Sequence, residues 1–275
     1  MNILEEIAAK TKERVHAAKQ KISLAEMQKR AEDMVRAEQE AGTFPKTPDD
    51  FAFARAIREG DLSFICEVKK ASPSKGLIAP DFPYVEIAKD YNRGGASAIS
   101  VLTEPFWFQG SDDYLREIKD NVSIPVLRKD FTVDEYMIYE AKIIGADAVL
   151  LICAILEDRE LRSYLEIAHH LGLTALVEAH DQEEVDRAAA AGARLIGVNN
   201  RDLRTFTVDI HNSIRYRQSV PEEIAFVSES GIRTPEDIAE LARNRVNGVL
   251  IGETLMRAPD RVAALQELMT GCKCG

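Results

Sequence analysis

Cysteine, tryptophan and long apolar runs are all scarce in this chain of 275 residues, which has four cysteines and one tryptophan. Cys66 and Cys153 lie in apolar runs, whereas Cys272 and Cys274 lie in the tail GCKCG. This is no disulfide framework, and two ligands do not make a zinc site, so we expect a frayed tail without function. No stretch approaches the ~18 unbroken apolar residues of a membrane span, and MNILEEIAAKTKERV lacks the apolar region of a signal peptide. We therefore expect a cytoplasmic protein with no membrane contact.

The chain has fewer positively than negatively charged side chains. The chain has 35 Lys and Arg against 46 Asp and Glu, which gives a formal net charge of −11. Nucleic-acid binders usually carry a basic patch, so we expect no nucleic-acid partner. If the substrate is anionic, its site must gather cations locally against the field of the whole protein.

Eight short apolar runs predict eight β-strands, because each is rich in β-formers and the stretches between them have the apolar period of a helix. Their starts lie 21 to 34 residues apart. The runs are FICEVK (64–69), AISVLT (98–103), PVLRKD (125–130), AVLLIC (148–153), TALVEA (174–179), LIGVNN (195–200), AFVSES (225–230) and GVLIGE (248–253).

Capping signals divide these strands from the intervening helices. Thr132 with Glu135 and Asp181 with Glu184 fit the start of a helix. Gly-Ala pairs close three helices and lead into the next strand, at positions 95–96, 145–146 and 192–193. Eight such units predict a (βα)8 TIM barrel, an α/β fold with parallel strands. A doubly wound sheet is the alternative, but eight evenly spaced units favour closure.

Residues 1–47 precede the first strand and have the pattern of two helices. They offer too little apolar surface for a core of their own. We expect them to be a helical extension packed across one end of the barrel, within a single domain that spans residues 1–275.

Polar residues collect at the ends of the predicted strands, where barrel enzymes carry their active sites. Because side chains alternate along a strand, Glu67 and Lys69 share one face. A barrel mouth also holds Lys–Glu pairs that only satisfy one another, but two lysines, three glutamates, an asparagine and a serine favour a reaction site. These strand-end residues are Glu67, Lys69, Lys129, Glu178, Asn199, Glu229 and Ser230.

The turns after the seventh and eighth strands have the pattern of a phosphate site. Gly231 and Gly252 lie where backbone N–H groups can approach an anion, and barrels often bind phosphate there. A helix starting at Thr234, or a short one near Thr254, would add its positive end. The alternative is that both glycines serve only a tight turn.

The motifs at these strand ends resemble the indole-3-glycerol-phosphate synthase family. FICEVKKASPSKGLI (64–78) is similar to the long family signature. Further motifs match in order and spacing, namely LRKDF (127–131), LVEAH (176–180), GVNNRDL (197–203), SESGI (228–232) and LIGETLMR (250–257). The resemblance extends from about residue 1 to residue 260.

This resemblance implies a carbon–carbon lyase of tryptophan biosynthesis. Its substrate would be a small phosphorylated aromatic molecule, 1-(2-carboxyphenylamino)-1-deoxyribulose 5-phosphate, which closes to indole-3-glycerol phosphate with loss of carbon dioxide and water. Members of the family need no cofactor or metal. The sequence does not fix the oligomeric state, for which we expect a monomer or weak homodimer.

The resemblance also implies roles for individual residues. Lys129 is a general acid and Glu178 the general base. Lys69, oriented by Glu67, pairs with a substrate anion or serves as a second acid. The remaining catalytic candidates hold hydroxyls or support these groups, and they are Asn199, Ser230 and Glu229. Which lysine acts in which step does not follow from the sequence.

Nine residues are implied in substrate binding. The candidate anion contacts are Ser72 and Arg201. The candidate walls for the aromatic ring are Phe108, Phe131 and Leu203, with Leu250 as a further contact. Backbone N–H groups would meet the phosphate at Gly231, Gly252 and Glu253.

Three other functions stay open at this point. Phosphoribosylanthranilate isomerase is a related barrel with a similar phosphate site, but EVKKASPSKG argues against it. A Schiff-base aldolase would use a strand lysine to attack a carbonyl. A barrel that binds a phosphorylated ligand without turnover would lack part of the acid–base set, whereas Lys69, Lys129 and Glu178 are all present.

Overall fold

Eight parallel strands form a closed barrel in the computed structural model, which describes residues 3–202 and 207–274. Each strand pairs with its neighbours in sequence, and the last pairs with the first, so that Ser63 lies beside Gly248. This closure confirms the TIM barrel and excludes the doubly wound sheet. The barrel strands are β1 (Ser63–Val68), β2 (Ala98–Leu102), β3 (Val126–Lys129), β4 (Ala148–Ile152), β5 (Thr174–Ala179), β6 (Leu195–Asn199), β7 (Ala225–Glu229) and β8 (Gly248–Ile251).

Helices precede the barrel and cover its outer face. A short antiparallel pair, Ala71–Ser72 with Gly76–Leu77, lies in the loop after β1. In the described part of the chain, each helix is too short or too polar to cross a membrane. The α-helices are α1 (Ile3–Lys21), α2 (Leu24–Glu40), α3 (Ala52–Arg58), α4 (Tyr84–Gly94), α5 (Asp112–Lys119), α6 (Glu135–Ile143), α7 (Asp158–His170), α8 (Gln182–Ala191), α9 (His211–Arg217), α10 (Pro235–Arg243), α11 (Glu253–Met256) and α12 (Arg261–Met269).

Short polar side chains fix where these helices begin. The side chain of Asp181 accepts a hydrogen bond from the Glu184 N–H, as the sequence predicts for the start of α8. The start predicted at Thr132 for α6 is wrong. Asp134 is extended and directly precedes the first helical residue, and its carboxylate accepts the Tyr136 N–H instead.

Side chains alternate between the two faces of each strand, and this divides the core into two layers. Ile65, Leu127, Leu176 and Val227 point into the barrel, where they form one buried cluster. The residues between them face the helices and belong to a second, larger cluster, as Val177 does. The inner cluster forms an apolar floor directly beneath the next inward-facing positions, which carry the polar residues of the strand ends.

The N-terminal helix α1 lies across the barrel mouth. Leu4 and Ile7 are buried in the same cluster as the barrel interior. Farther along α1, Arg14 donates hydrogen bonds to both carboxylate oxygens of Asp130, at 2.8 and 2.9 Å. On α2, Glu38 accepts two hydrogen bonds of 2.8 Å from Lys142 of α6. That residues 1–275 form one domain with an N-terminal helical extension remains a prediction.

Asp130 is almost completely buried, and it depends on its partners. Besides Arg14, Thr103 Oγ1 donates to it at 2.7 Å and the Phe131 N–H at 2.8 Å. Burial alone raises the pKa of Asp130, but the charges of Arg14 and Arg128 outweigh it and hold the pKa below its ordinary value. The ionised carboxylate is therefore the stable form at neutral pH, and it ties α1 to the end of β3.

The substitution Arg14→Met tests this attachment. Removing one partner of a buried pair leaves an uncompensated charge, so we expect the free energy of unfolding at pH 7 to fall by about 3 kcal/mol. Because the pKa of Asp130 is lowered by folding, its contribution is present above the unfolded value of about 3.9 and is lost as the pH falls through the folded value. The difference between wild type and variant should shrink below about pH 4 in urea unfolding followed by circular dichroism.

A matched control is Arg36→Met on α2, because Arg36 pairs with Asp33 at the exposed surface and contributes little. Equal effects of the two substitutions at pH 7 would contradict the account of Asp130.

Candidate active site

A cavity of about 440 Å³ opens at the carboxyl ends of the strands. The apolar residues Ile3, Leu4 and Ile7 of α1 form part of its wall. Leu203 lies outside the described residues. The other residues singled out from the sequence all line this cavity, namely Glu67, Lys69, Ser72, Phe108, Lys129, Phe131, Glu178, Asn199, Arg201, Glu229, Ser230, Gly231, Leu250, Gly252 and Glu253.

At the floor of the cavity, one lysine lies between two carboxylates. Lys129 Nζ is 2.7 Å from Glu178 Oε2 and 3.3 Å from Glu229 Oε2. Lys129 and Glu229 are the last residues of β3 and β7, and Glu178 is the last but one of β5. Alternate strands of such a barrel contribute side chains to the same layer. The side chains of Glu178 and Glu229 are only 4% and 3% exposed, so each charge depends on its neighbours.

Burial and charge give these three groups different protonation states. Burial raises the pKa of Glu178, but the charges of Lys129 and His180 outweigh it and hold the pKa well below its usual range. Burial raises the pKa of Glu229 to about 7, since Lys129 offsets it only in part and the charge of Glu178 adds to it. Burial lowers the pKa of Lys129, yet Glu178, Glu229 and Glu67 together raise it above its ordinary value. The layer thus holds an ammonium, an ionised carboxylate and a carboxyl that exchanges its proton near neutrality, a separation typical of acid–base sites.

Gly197 leaves the space that Glu229 occupies. Glu229 Oε1 is buried and has no hydrogen-bond partner among the described residues. A β-carbon on Gly197 would overlap this oxygen and would also lie 3.0 Å from Leu176 Cδ1. Gly197 was not singled out from the sequence, because a glycine inside a strand gives no sign of which neighbour needs the room.

Glu67 and Lys69 form a second ion pair at the end of β1, as their shared face predicts. A β-carbon on Gly252 would overlap Glu67 Oε1 and lie 2.9 Å from Lys69 Nζ. Gly252 therefore leaves room for this pair, a reason for glycine that is independent of phosphate.

Asn199 connects the central carboxylate to the loop after β6. Its Nδ2 donates to Glu178 Oε1 at 3.3 Å, and its Oδ1 accepts the Arg201 N–H at 3.1 Å. Both contacts use the side chain of Asn199, so the amide orients Glu178 and places Arg201 at the rim of the cavity.

The next residue, Asn200, supports the turn after β7 from behind. Its side chain is buried and donates to Ser228 Oγ at 2.9 Å and to the carbonyl of Ser230 at 3.1 Å. Ser230 and Gly231 both have a positive φ, of 69° and 89°. A β-carbon on Gly231 would also overlap Val208 Cγ1, so this turn requires glycine for its conformation and for space.

The two helix starts considered for an anion differ in the structure. The start of α10 is already occupied, because Asp237 accepts the N–H groups of both Arg233 and Thr234. The short helix α11 begins directly after Gly252 at the cavity wall. The side chain of Glu253 is 3.1 Å from Arg257 Nε.

Cations gather around this cavity despite the net charge of −11. Those that line it are Lys69, Lys129, Arg201, Arg233 and Arg257. Five carboxylates line the cavity as well, namely Glu67, Asp130, Glu178, Glu229 and Glu253. The charge around the cavity is therefore balanced, unlike that of the whole acidic chain, so an anionic substrate meets less repulsion there.

Aromatic side chains form one wall of the cavity. The rings of Phe108 and Phe131 lie 6.2 Å apart at an angle of 40°. The carboxylate of Glu104 holds the loop that carries Phe108, because it accepts the N–H groups of Phe106, Trp107 and Phe108 at 2.9, 2.7 and 3.0 Å. Glu104 is fully buried, and it was not singled out from the sequence. The available signal was a charged residue separated from an aromatic run only by Pro105.

His180 was assigned no role from the sequence either, although it ends the motif LVEAH. Its Nε2 lies 3.3 Å from Glu178 Oε1, whereas Lys129 contacts the other oxygen of that carboxylate. Within residues 3–202 and 207–274, no group of three or more His, Cys, Asp and Glu side chains is placed to hold a metal ion.

A sequence model of the indole-3-glycerol phosphate synthase family matches residues 4–268. The chain belongs to this family. The indole-3-glycerol phosphate synthase of Ruminiclostridium cellulolyticum is 57% identical over 266 residues, which cover 97% of this chain and 98% of that protein. The indole-3-glycerol phosphate synthase of Lachnoclostridium phytofermentans is 51% identical over 266 residues, with the same coverage of 97% and 98%.

Solved structures with low sequence identity share the fold alone. A 3-hexulose-6-phosphate synthase has a TM-score of 0.62 at 15% identity and covers 76% of this chain and 99% of its own. A thiamine phosphate pyrophosphorylase from Pyrococcus furiosus has a TM-score of 0.57 at 19% identity, with coverage of 78% and 96%. The family match confirms the synthase, the lyase class and the place in tryptophan biosynthesis expected from the motifs, and it decides against the isomerase, aldolase and non-catalytic alternatives.

The substitution Gly197→Ala tests the packing of the central layer. The new β-carbon must displace the Glu229 carboxylate from its position beside Lys129, and a displacement of about 1 Å within an active site costs on the order of 10²-fold in rate. We expect kcat for the family reaction to fall by about that factor while the protein stays folded.

The matched control is Gly248→Ala in β8, where the nearest atom to the new β-carbon is the Ser63 carbonyl oxygen at 3.3 Å. This variant should keep kcat near the wild-type value. Equal rates for the two variants would show that Glu229 tolerates displacement.

Proposed function

We propose that this cavity closes the ring of 1-(2-carboxyphenylamino)-1-deoxyribulose 5-phosphate, with Lys129 as a general acid and Glu178 as the general base. The observation that carries the proposal is the placement of Lys129 Nζ 2.7 Å from Glu178 and 3.3 Å from Glu229 at the floor of one cavity. The second pair, Glu67 with Lys69, lines the same cavity and supports a reaction that needs more than one proton transfer.

The substrate phosphate binds between the turns after β7 and β8 in this proposal. Backbone N–H groups of Gly231, Gly252 and Glu253 would meet its oxygens, as helix and loop starts do for anions. The carboxylate on the aromatic ring would then turn toward Lys69 and Arg201, with Ser72 as a further contact. The cations that line the cavity support this orientation.

The aromatic ring lies against Phe108, Phe131 and Leu250, and Leu203 is proposed as a further wall. The apolar residues of α1 line the same cavity and reduce its contact with water. A dry site strengthens each charge–charge interaction within it, which the developing charges of this reaction require.

In the first step, the ring carbon that bears the carboxylate attacks the ketone carbon, and a carbon–carbon bond forms. The ketone oxygen becomes an alkoxide and takes a proton from Lys129. The bond to the carboxylate then breaks, carbon dioxide leaves, and its electron pair restores the aromatic ring, whose positive charge the anilino nitrogen had carried.

In the second step, water is lost. A lysine protonates the departing hydroxyl, the nitrogen lone pair assists its departure, and Glu178 takes the proton from the adjacent carbon to complete the indole. Two protons are donated to the substrate and one is removed from it. The net uptake of one proton balances the negative charge that stays behind when the carboxylate leaves as neutral carbon dioxide. Each well-placed proton transfer contributes about 10²–10⁴ in rate.

The other polar residues orient these groups. Asn199 donates to Glu178 and so holds the base, and Glu67 holds Lys69 through their ion pair. Ser230 would contact a substrate hydroxyl. Glu229 supports Lys129. It can gain or lose a proton when the charge of Lys129 changes, because burial raises the pKa of Glu229 to about 7.

We propose as well that the enzyme works in the cytoplasm as a monomer or weak homodimer, on a small phosphorylated substrate and without nucleic-acid or membrane partners. Residues 1–47 would act as an extension of one barrel domain. The burial of Leu4 and Ile7 in the barrel interior supports this last point.

The substitutions Glu178→Gln and Lys129→Met test the assignment of base and acid. Each should lower kcat by about 10²–10⁴-fold with KM changed only a few-fold, because the lost interactions act in the transition state. The assay adds the substrate to chelator-treated protein and follows the indole fluorescence of the product.

Glu183→Gln on the exposed face of α8 is the matched control and should keep wild-type rates. Near-wild-type turnover by Lys129→Met would remove the proposed acid. A loss confined to KM in Glu178→Gln would make Glu178 a binding residue rather than the base.

A further inference from the structure

His180 lies two residues beyond Glu178 and connects it to a carboxylate outside the cavity. Its Nε2 is 3.3 Å from Glu178 Oε1, and its Nδ1 is 3.1 Å from Glu184 Oε2. The His180 backbone N–H also donates to Glu184 Oε2, at 2.8 Å. The imidazole is only 17% exposed, so the ring is held between the two carboxylates with little access to water.

This placement favours the protonated ring. A neutral imidazole has one N–H and one lone pair, so one of the two carboxylates would face a lone pair. An imidazolium presents a proton to both. Burial lowers the pKa of His180, but the carboxylates of Glu178 and Glu184 outweigh it and raise the pKa to about 10.

The Nε2 atom is buried at ion-pair distance from Glu178 and has no well-aligned hydrogen bond to a described residue. Contacts of catalytic groups are often poorly aligned before the substrate binds and tighten in the complex. The Nε2 atom thus lies at ion-pair distance from the carboxylate, but its proton is not aligned with it in the substrate-free enzyme.

No other charged side chain among the described residues competes for this ring. Arg187, on the same helix as Glu184, turns away to Asp158 at 2.7 Å and to the carbonyl of Leu156 at 2.8 Å. Cys153 approaches only the backbone of Glu184, donating to its carbonyl at 3.6 Å. The charges therefore alternate in one row, which consists of Glu184, His180, Glu178, Lys129 and Glu229.

We propose that His180 is a positioning residue for Glu178. The charged ring of His180, anchored on Glu184, holds the Glu178 carboxylate in place and ionised while Lys129 donates its proton to the substrate. This inference rests on the proposed role of Glu178 as the base. When Lys129 gives its proton to the substrate, Glu178 loses its nearest positive charge and is left beside Glu229. His180 supplies the charge that then keeps Glu178 free of a proton and in the same orientation.

The substitution His180→Gln tests the proposal, because glutamine keeps an N–H donor near the position of Nε2 and removes the charge. We expect kcat to fall about tenfold with KM nearly unchanged, and the acid limb of the pH profile of kcat to move up by about one unit. Glu184→Gln leaves the histidine in place but weakens its anchor, so it should cause a smaller shift in the same direction. His211→Gln, at an exposed histidine on α9, should leave kcat and the pH profile unchanged.

A second measurement reads the ring directly in the substrate-free enzyme. In ¹⁵N-histidine NMR, with His180→Gln used for assignment, the His180 ring should stay protonated through about pH 9. Titration near the ordinary value of about 6.5 would overturn the inference, and this holds even if His180→Gln proves unstable.

The two proposals fail in different ways. If Glu178→Gln keeps its turnover, the proposed base is wrong whatever the state of His180. If Glu178→Gln loses turnover while both His180→Gln and Glu184→Gln keep the wild-type kcat and pH profile, only the role of His180 is wrong.

Discussion

The burial of Lys129, Glu178 and Glu229 in one layer of the barrel is the constraint on which the rest of the site depends. A buried charge is stable only when it is paired, and one ammonium cannot fully neutralise two carboxylates. Glu178 has the shorter contact to Lys129, at 2.7 against 3.3 Å, and it also has Asn199 and His180 beside it. Glu229 has no such support at Oε1, and burial raises its pKa to about 7. The difference in surroundings keeps Glu178 ionised and leaves Glu229 as a carboxyl that can hold a proton near neutrality.

The barrel brings this layer about through the alternation of its strands. Leu127 and Leu176 precede Lys129 and Glu178 by two residues and form the apolar floor that makes the burial severe. The residue after Lys129 is Asp130, which accepts hydrogen bonds from Arg14 of the N-terminal helix. The end of β3 therefore carries the proposed acid, and the next residue carries the attachment of α1, so the helix that lines the cavity is tied to the same piece of backbone as Lys129.

Much of this arrangement follows from the sequence, because the signals are local. Eight apolar runs with regular spacing predict the barrel, and polar residues at their ends predict which side chains line the cavity. The sequence does not show which side chains contact one another in the folded chain. The room that Gly197 leaves for Glu229, the three N–H groups gathered by Glu104 and the position of His180 between two carboxylates are through-space relations that depend on neighbouring strands and loops. The predicted start of α6 was wrong for a local reason. Thr132 and Asp134 are both capping residues and lie two positions apart, and Asp134 is the one in helix-capping conformation.

The most direct test of the central claim is ¹³C NMR of the glutamate carboxyl carbons in the substrate-free enzyme, with Glu229→Gln and Glu178→Gln used for assignment. The account predicts one carboxyl that titrates near pH 7 and disappears in Glu229→Gln, while Glu178 stays ionised across the range. If Glu229 is already ionised at about pH 5, or if Glu178 is the group that binds a proton near neutrality, the separation of roles at the floor of the barrel is contradicted.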